Sequence, residues 1–589
     1  MKKILLSILL SAHAVFADQS TYPPLTTKAE VTQWKQTGRY EEVLRLCNDF
    51  AKNYAKQVRC IDFGKSPEGR LMVALVASGD GTLEAKKAKA KNRPVIVMQG
   101  GIHAGEIDGK DAGFYVLREI LKGNLLPKVL DKVTLVFVPV FNVDGHERFG
   151  KHNRPNQIGP EEMGWRTTAQ NLNLNRDYAK AETPEMMAML NLLNEWDPMM
   201  YVDLHVTDGA QFQHDIAVMV DPSDRGPLAL RKLGQEIEDE VMKKLKAKEH
   251  LPLPFYPSFN VEDDPASGIK VDVPLPRFSN GYWPLRNRFA VLVETHSWKD
   301  YATRVKATSD TIVALLELAS QNGKAWLEVA RDTDRESDSL AGKEIDLTFE
   351  TTDKFQTIDF FGYDYKRELS SVSGKLKTVY DISRNVIWKT KLFTDLKPQV
   401  TVKAPKGGYI VPPAHVQWVS QKLNLHGIKF NVIKQPKPAM EVETFRASEV
   451  SFGKMPFEGR ISATVKGSWN KEKRDVVSGS IFIPISQPYA RLILTLLEPT
   501  SSDSFVYWGF FNTMFEMKEY MESYVAEQLA QEMLAKDPKI KQEFVEKLEK
   551  DPDFAKSPDD RLEFFYRKHP SWDERVNLYP ILRSEQLLQ

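Results

Sequence analysis

The sequence is poor in cysteine, carries no net charge and has no long apolar run after its first residues. Only two cysteines occur among 589 residues; no CxxC pair exists, so neither is a candidate zinc ligand. The 80 lysines and arginines balance the 80 aspartates and glutamates, so the basic field that attracts nucleic acid is absent. No later segment is apolar over the roughly 20 residues that span a bilayer, and we expect no membrane-spanning helix.

The N-terminus, MKKILLSILLSAHAVFADQS, has the features of a secretory signal. Two lysines precede an apolar stretch from Ile4 to about Leu10, and small residues follow. We predict a signal peptide over residues 1–17, with cleavage after Ala17, and a secreted or periplasmic mature protein. A retained membrane anchor is the alternative, which the shortness of the apolar stretch disfavours.

Export would place both cysteines, Cys47 and Cys60, in an oxidising compartment. Disulfides persist in such compartments, and we therefore predict a Cys47–Cys60 bridge that closes a short loop. Two free, buried thiols are the alternative.

The length exceeds what one hydrophobic core usually supports, so we expect more than one domain. The pattern of apolar and polar residues also changes twice along the chain. Residues 18–325 alternate short apolar strands such as VIVMQG with helical segments. This pattern predicts an α/β domain with a mixed, mostly parallel sheet and helices on both faces. Residues 326–500 show strand-like alternation and predict a β-rich accessory domain, and residues 501–589 predict a helical C-terminal region.

Three strand ends in the α/β part carry candidate functional side chains. His103 and Glu106 stand three residues apart in QGGIHAGEIDG, His205 ends YVDLH, and Glu294 ends RFAVLVE. In α/β sheets, ligands collect at the carboxyl ends of the strands. Two imidazoles and one carboxylate, with a fourth position open to water, are the ligand set of a catalytic zinc ion. We therefore predict one Zn²⁺ held by His103, Glu106 and His205, and hydrolysis as the chemistry.

The order and approximate spacing of several motifs resemble the M14 zinc carboxypeptidases, the carboxypeptidase A-like family. The resemblance covers much of residues 40–310 and rests on FGKSPEGRLMVALV, GGIHAGEIDG, FNVDGHER, GWR, NLNRDY, DLH and LVETHSW. It implies a zinc-carboxypeptidase-like fold for residues 18–325 and the removal of C-terminal residues from peptides.

The resemblance also implies roles for single residues. His103, Glu106 and His205 match the zinc ligands, and Glu294 matches the carboxylate that activates water. The remaining matches are Arg166, which stabilises the oxyanion, Asn175 and Arg176, which hold the substrate's terminal carboxylate, and Tyr282, our candidate for the mobile-loop tyrosine. Asn173 stands where the family has an aspartate behind the first zinc histidine, so the charge that raises ligand basicity is missing there.

The predicted function is that of an exported zinc metallocarboxypeptidase with a peptide substrate, no nucleic-acid partner and no membrane association after signal cleavage. One alternative is a zinc amidase or deacylase that acts on cell-wall peptide or acylated amino acids. Another is a catalytically silent peptide-binding protein with its interaction surface in the C-terminal regions. Substrate preference and oligomeric state stay open.

Overall fold

A computed structural model describes residues 23–588, which form two compact units. Unit 1 comprises the described residues up to Arg335 together with Glu350–Lys397, and unit 2 comprises Glu336–Phe349 and the chain from Pro398 onward. The predicted signal peptide, residues 1–17, lies outside the described residues. Within residues 23–588, no helix is long and apolar enough to cross a membrane.

Strands and α-helices are numbered separately, each in chain order. The strands are β1 (Val58–Lys65), β2 (Leu71–Ala77), β3 (Val95–Gly100), β4 (Thr134–Val138), β5 (Met200–Thr207), β6 (Ile216–Asp221), β7 (Pro252–Leu253), β8 (Ile269–Lys270), β9 (Phe289–His296), β10 (Glu344–Thr351), β11 (Phe355–Leu369), β12 (Leu376–Phe393), β13 (Leu396–Lys403), β14 (Gly408–Val411), β15 (Asn431–Val432), β16 (Lys437–Phe452), β17 (Ala463–Val476), β18 (Ile481–Pro484) and β19 (Leu578–Ser584). The helices are α1 (Lys28–Val31), α2 (Tyr40–Asn53), α3 (Ala85–Ala90), α4 (Asp108–Leu121), α5 (Val143–Glu147), α6 (Pro184–Trp196), α7 (Leu228–Lys246), α8 (Ser279–Tyr282), α9 (Tyr301–Ser337), α10 (Pro413–Leu425), α11 (Ala490–Leu497), α12 (Ser523–Lys536), α13 (Pro538–Lys550), α14 (Pro552–Lys556) and α15 (Pro558–Tyr566).

Unit 1 is built on an eight-stranded mixed sheet with the order β1-β2-β4-β3-β5-β9-β6-β7. The four central strands β4, β3, β5 and β9 run parallel, and β2 and β6 are antiparallel to their central neighbours. Strands β3 and β5 are buried along their whole length, as apolar strands covered on both faces must be. The predicted α/β fold is confirmed.

Two glycines allow the segment between β3 and α4 to approach β5. Gly101 has a φ of +62°, a left-handed conformation that favours glycine. A Cβ on Gly109 would lie 2.6 Å from the Cβ of Leu204, so α4 packs directly on β5. This contact holds the loop that carries His103 and Glu106 beside His205.

Cys47 on α2 and Cys60 on β1 form a disulfide. Cys47 is fully buried. The bridge joins α2 to the first strand of the sheet.

The long hairpin of β11 and β12 belongs to unit 1, although it follows α9 in the chain. Phe360 and Trp388 of the hairpin lie in one hydrophobic cluster with Phe212, Leu253 and Phe255. The cluster therefore packs the hairpin against the segments that flank β6 and follow β7.

Unit 2 contains a six-stranded sheet, with the order β15-β18-β14-β19-β16-β17, and a group of C-terminal helices. Helices α12 to α15 share a small core that includes Ala530, Phe544, Phe554 and Phe565. The expectation of a β-rich region followed by a helical segment is confirmed. The exact division at residues 325 and 500 stays a prediction.

Candidate active site

His103, Glu106 and His205 converge at the carboxyl ends of β3 and β5. Their candidate ligand atoms all lie within 4.8 Å of one another. The Nδ1 of His103 is 3.0 Å from Glu106 Oε1, and the Nδ1 of His205 is 2.9 Å from Glu106 Oε2. All three side chains are buried, with 2 to 4% of each residue exposed. The structure thus brings together the three predicted ligands, which come from two separate segments.

The outer nitrogens of both imidazoles face oxygen atoms. His103 Nε2 lies 3.1 Å from Asn173 Oδ1, and His205 Nε2 lies 3.0 Å from Asp203 Oδ2. The His103–Asn173 contact is a hydrogen bond, and a histidine that donates Nε2–H in this way keeps the lone pair of Nδ1 free for a metal ion. The His205–Asp203 contact is within ion-pair distance but is not aligned for a hydrogen bond. Because both Nδ1 atoms face the same carboxylate, the residues fit a zinc ion bound between them.

The charges of the site also suit a cation. Burial raises the pKa of Glu106, but His103 and Arg154 outweigh this effect and hold the carboxyl ionised, with a pKa well below its usual range. Burial lowers the pKa of His103 to about 4, so its imidazole is neutral at pH 7. Neutral His103 and ionised Glu106 are in the protonation states that metal ligands require. The third ligand differs: burial lowers the pKa of His205, but Asp203 and Glu106 outweigh this effect and raise it well above its usual range, so a cation bound there has to displace a proton.

Glu294 lies beside the ligand set on the adjacent strand. In the parallel pairing of β5 and β9, Glu294 is the direct partner of His205, so both side chains project from the same face of the sheet. Burial, with the nearby carboxylates of Glu106 and Asp203, raises the pKa of Glu294 to about 8 although His205 opposes the shift. A divalent cation at the ligand set would lower this pKa.

Residues 43–250 match the family model described as zinc carboxypeptidase, Peptidase_M14. The chain carries an M14 zinc carboxypeptidase domain. Carboxypeptidase 2 of Trichophyton rubrum is 21% identical over 467 residues, covering 76% of this chain and 79% of that relative. The inactive metallocarboxypeptidase ecm14 of Schizosaccharomyces pombe is 32% identical over 115 residues, covering 19% of this chain and 22% of that protein. The crystal structure of carboxypeptidase A from Helicoverpa armigera aligns with a TM-score of 0.35 and 16% identity, over 50% of this chain and 74% of that chain.

The family match confirms the predicted resemblance and the predicted enzyme class, a metallocarboxypeptidase hydrolase. Members of this family are zinc enzymes, and the predicted ligands of this chain form the candidate metal site.

Two arginines of the carboxypeptidase domain face the metal-ligand carboxylate. Arg166, a predicted site residue, has its Nη1 3.6 Å from Glu106 Oε1, and 38% of its side chain is exposed. Arg154 is not among the predicted site residues, and its Nη2 is 3.0 Å from the same oxygen. Its side chain packs where Gly105 lacks a Cβ, since a Cβ there would lie 2.6 Å from Arg154 Cγ. No family motif among those quoted contains Arg154, so no sequence pattern indicates its position in the site.

Asn175 and Arg176 lie on a short turn that also carries Asn173. Asn173 Oδ1 accepts a hydrogen bond from the Asn175 backbone N–H and also faces His103. The Arg176 guanidinium lies over the Phe278 ring, 4.3 Å from its centroid, and donates to the Asn175 carbonyl. One turn therefore connects the candidate carboxylate-binding pair to His103, the first candidate zinc ligand.

Tyr282, which the sequence predicted as the mobile-loop tyrosine, does not lie on an exposed loop. Tyr282 is fully buried in α8 and packs against Tyr178 and Trp283. A side chain fixed in an aromatic cluster cannot serve as a tyrosine on a mobile loop, because it would have to leave the core.

Tyr256 lies at the end of β5, close enough to the carboxylates of the candidate site for them to influence its pKa. Its hydroxyl accepts a hydrogen bond from Thr207 Oγ1 at 2.9 Å and lies 3.4 Å from Asp208 Oδ1. Burial, with the carboxylates of Glu294, Asp208 and Glu106, raises the pKa of Tyr256 well above its usual range. No recognised motif contains Tyr256, which lies in LPLPFYPSFN, next to Phe255 of the hairpin cluster.

Proposed function

We propose that this protein is an exported zinc carboxypeptidase that removes the C-terminal residue of peptides, with Glu294 as the group that activates water. The observation that carries the proposal is the convergence of His103, Glu106 and His205 beside Glu294. The N-terminal signal pattern and the Cys47–Cys60 disulfide support export, since disulfides persist in oxidising compartments.

Zinc, when bound by the three ligands, supplies Lewis-acid chemistry that polarises a carbonyl and acidifies water. Glu294 takes the proton from the attacking water and passes it to the leaving amine. Glu294 is buried in the sheet, so its carboxyl group stays beside the zinc ligands and away from bulk solvent. Arg166, which is partly exposed next to Glu106, is placed to stabilise the developing oxyanion.

Asn175 and Arg176 hold the terminal carboxylate of the peptide. A guanidinium binds a carboxylate through two parallel hydrogen bonds, which a lysine cannot reproduce. The contact of Arg176 with Phe278 fixes the guanidinium plane. This pair restricts cleavage to the last peptide bond, because only the chain end presents a free carboxylate.

The test compares two peptides of the same sequence, one with a free C-terminal carboxylate and one with a C-terminal amide. We expect the zinc-loaded protein to release a single amino acid from the free acid and to cleave the amide about 100-fold more slowly, since one charged bidentate contact is lost. Mass spectrometry of the products measures both rates. The variant Arg176→Lys serves as the matched control, because it keeps the charge and should lose most of the discrimination.

Three outcomes would contradict the proposal. Internal cleavage at equal rates would contradict a carboxypeptidase. Turnover restricted to acylated amino acids or to cross-linked and D-amino-acid peptides would favour the amidase. Zinc binding with no hydrolysis of any of these substrates would favour the silent peptide-binding protein, and the S. pombe relative carries the name of an inactive metallocarboxypeptidase.

Substitutions of Tyr256 and Tyr282 give a separate prediction. We expect Tyr256→Phe to lower kcat about 10-fold, because the lost hydroxyl lies beside Thr207 and Asp208 at the end of β5, and one hydrogen bond in the transition state contributes about 1.4 kcal/mol. Tyr282→Phe should leave kcat unchanged and act only on the unfolding temperature. Steady-state kinetics and thermal unfolding of both variants check this. A large loss of kcat in Tyr282→Phe with normal Tyr256→Phe kinetics would restore Tyr282 as the catalytic tyrosine.

A further inference from the structure

A buried carboxylate stands behind the second candidate zinc histidine. Asp203 precedes His205 by two residues on β5, so both side chains project from the same face of the strand. Asp203 Oδ2 lies 3.0 Å from His205 Nε2, and Asp203 is 1% exposed. The distance is that of an ion pair, although the ring N–H is not aligned for a hydrogen bond.

Two neighbouring side chains fix the orientation of this carboxylate. Gln99, the partner of Asp203 in the pairing of β3 and β5, donates its amide N–H to Oδ1 at 2.6 Å. The hydroxyl of Ser279 donates to Oδ2 at 2.6 Å. Gln99 is held in turn by the hydroxyl of Tyr201, which donates to Gln99 Oε1 at 2.5 Å and lies 2.7 Å from the hydroxyl of Tyr178. The carboxylate is therefore held by a chain of buried hydrogen bonds.

The two histidines differ in the group that stands behind them. His103 has the neutral amide of Asn173, at the position where the M14 resemblance implies an aspartate. His205 has the carboxylate of Asp203. The negative charge that supports a histidine ligand is thus present in this chain, but it lies behind the other histidine.

We propose that Asp203 is the positioning residue that orients His205 for zinc and compensates for the missing charge at Asn173. This inference rests on the proposed zinc site. A carboxylate behind an imidazole fixes the tautomer with Nδ1 unprotonated and raises the electron density of that nitrogen.

The cost of burying Asp203 supports this role. An ionised carboxylate inside a protein is costly unless it is paired and hydrogen-bonded. Gln99 and Ser279 are neutral, and among the described residues it is His205 that pairs with Asp203 as a potential cation. Gln99 and Ser279 each donate to a different oxygen of Asp203, so they hold the carboxylate in one orientation, with Oδ2 next to His205.

The experiment measures the affinity of the full-length protein for Zn²⁺ alone by competition with a chromophoric chelator. We expect Asp203→Asn to weaken zinc binding about 10- to 100-fold. The asparagine fits the network, because the Gln99 amide can turn over and the tyrosine hydroxyls can reverse their donors. We expect the double variant Asp203→Asn/Asn173→Asp to recover at least part of this loss, since a carboxylate then stands behind His103. Asp221→Asn is the matched control: Asp221 is also buried, its pKa is raised to about 6 mainly by burial, and its contacts are to Asn280 and Arg225.

A second measurement distinguishes the positioning of His205 from an effect on the stability of the fold. The visible spectrum of the Co²⁺-substituted protein should change in Asp203→Asn and stay as in the wild type in Asp221→Asn. If Asp203→Asn fails to fold, Ser279→Ala removes one of the bonds that hold the carboxylate and should weaken zinc binding about 3- to 10-fold. Wild-type zinc affinity in both Asp203→Asn and Ser279→Ala would overturn the role of Asp203 but leave the proposed function intact. A wild-type protein that binds no zinc would overturn the proposed function as well.

Discussion

Replacement of Glu294 by glutamine should reduce peptide hydrolysis by about 100- to 10,000-fold, the range over which a positioned general base accelerates a reaction. Glutamine has nearly the same shape and can still form hydrogen bonds, but it cannot accept the proton of water. Because Glu294 is the strand partner of His205 rather than a ligand, we expect the variant to keep its zinc. Measurements of kcat and of zinc content per chain check the two halves of this prediction.

Glu185→Gln is the matched control for this substitution. Glu185 is also a fully buried glutamate, on α6, and burial raises its pKa to about 7. Its loss should leave kcat unchanged, since Glu185 contacts none of the candidate site residues in the described structure. If the Glu294→Gln and Glu185→Gln variants both hydrolysed peptides at the wild-type rate, Glu294 would be excluded as the base.

Removal of zinc should abolish hydrolysis, and restoration of zinc should recover it. Without the cation, the Lewis-acid contribution of several kcal/mol to polarising the carbonyl is lost. The same cation should also stabilise the fold, because a ligand at 1,000 times its Kd adds about 4 kcal/mol to the free energy of unfolding. Dialysis against a chelator followed by titration with Zn²⁺, with activity and unfolding temperature recorded together, tests both effects.

Glu106→Gln is the variant that should imitate the zinc-free protein. Glu106 contacts both histidines, so its loss removes the charged member of the candidate ligand set. The variant should show neither activity nor stabilisation by Zn²⁺, whereas Glu294→Gln should still be stabilised. Full activity after exhaustive chelation, or zinc stabilisation of Glu106→Gln equal to that of the wild type, would contradict this account of the site.

The hairpin of β11 and β12 shows why the chain beyond the family match matters to the site. Phe360 and Trp388 pack with Phe255, the neighbour of Tyr256. A segment that the sequence assigned to an accessory region therefore supports the loop that carries Tyr256, whose hydroxyl lies beside Thr207 and Asp208. Apolar residues that alternate along a strand indicate that one face is buried, but they do not identify the element that buries it.

The sequence by itself determined the α/β fold of the first unit, and it predicted the candidate ligand set whose members the structure brings together. These properties are encoded locally: the apolar runs make the strands, the glycines around His103 allow the tight loop, and the ends of parallel strands must meet at one edge of the sheet. Only the tertiary structure decided which tyrosine lies near the candidate site and which side chains hold Asp203 beside His205. Both depend on side chains brought together by packing and by strand register across separate segments, and no local pattern in the sequence records those contacts.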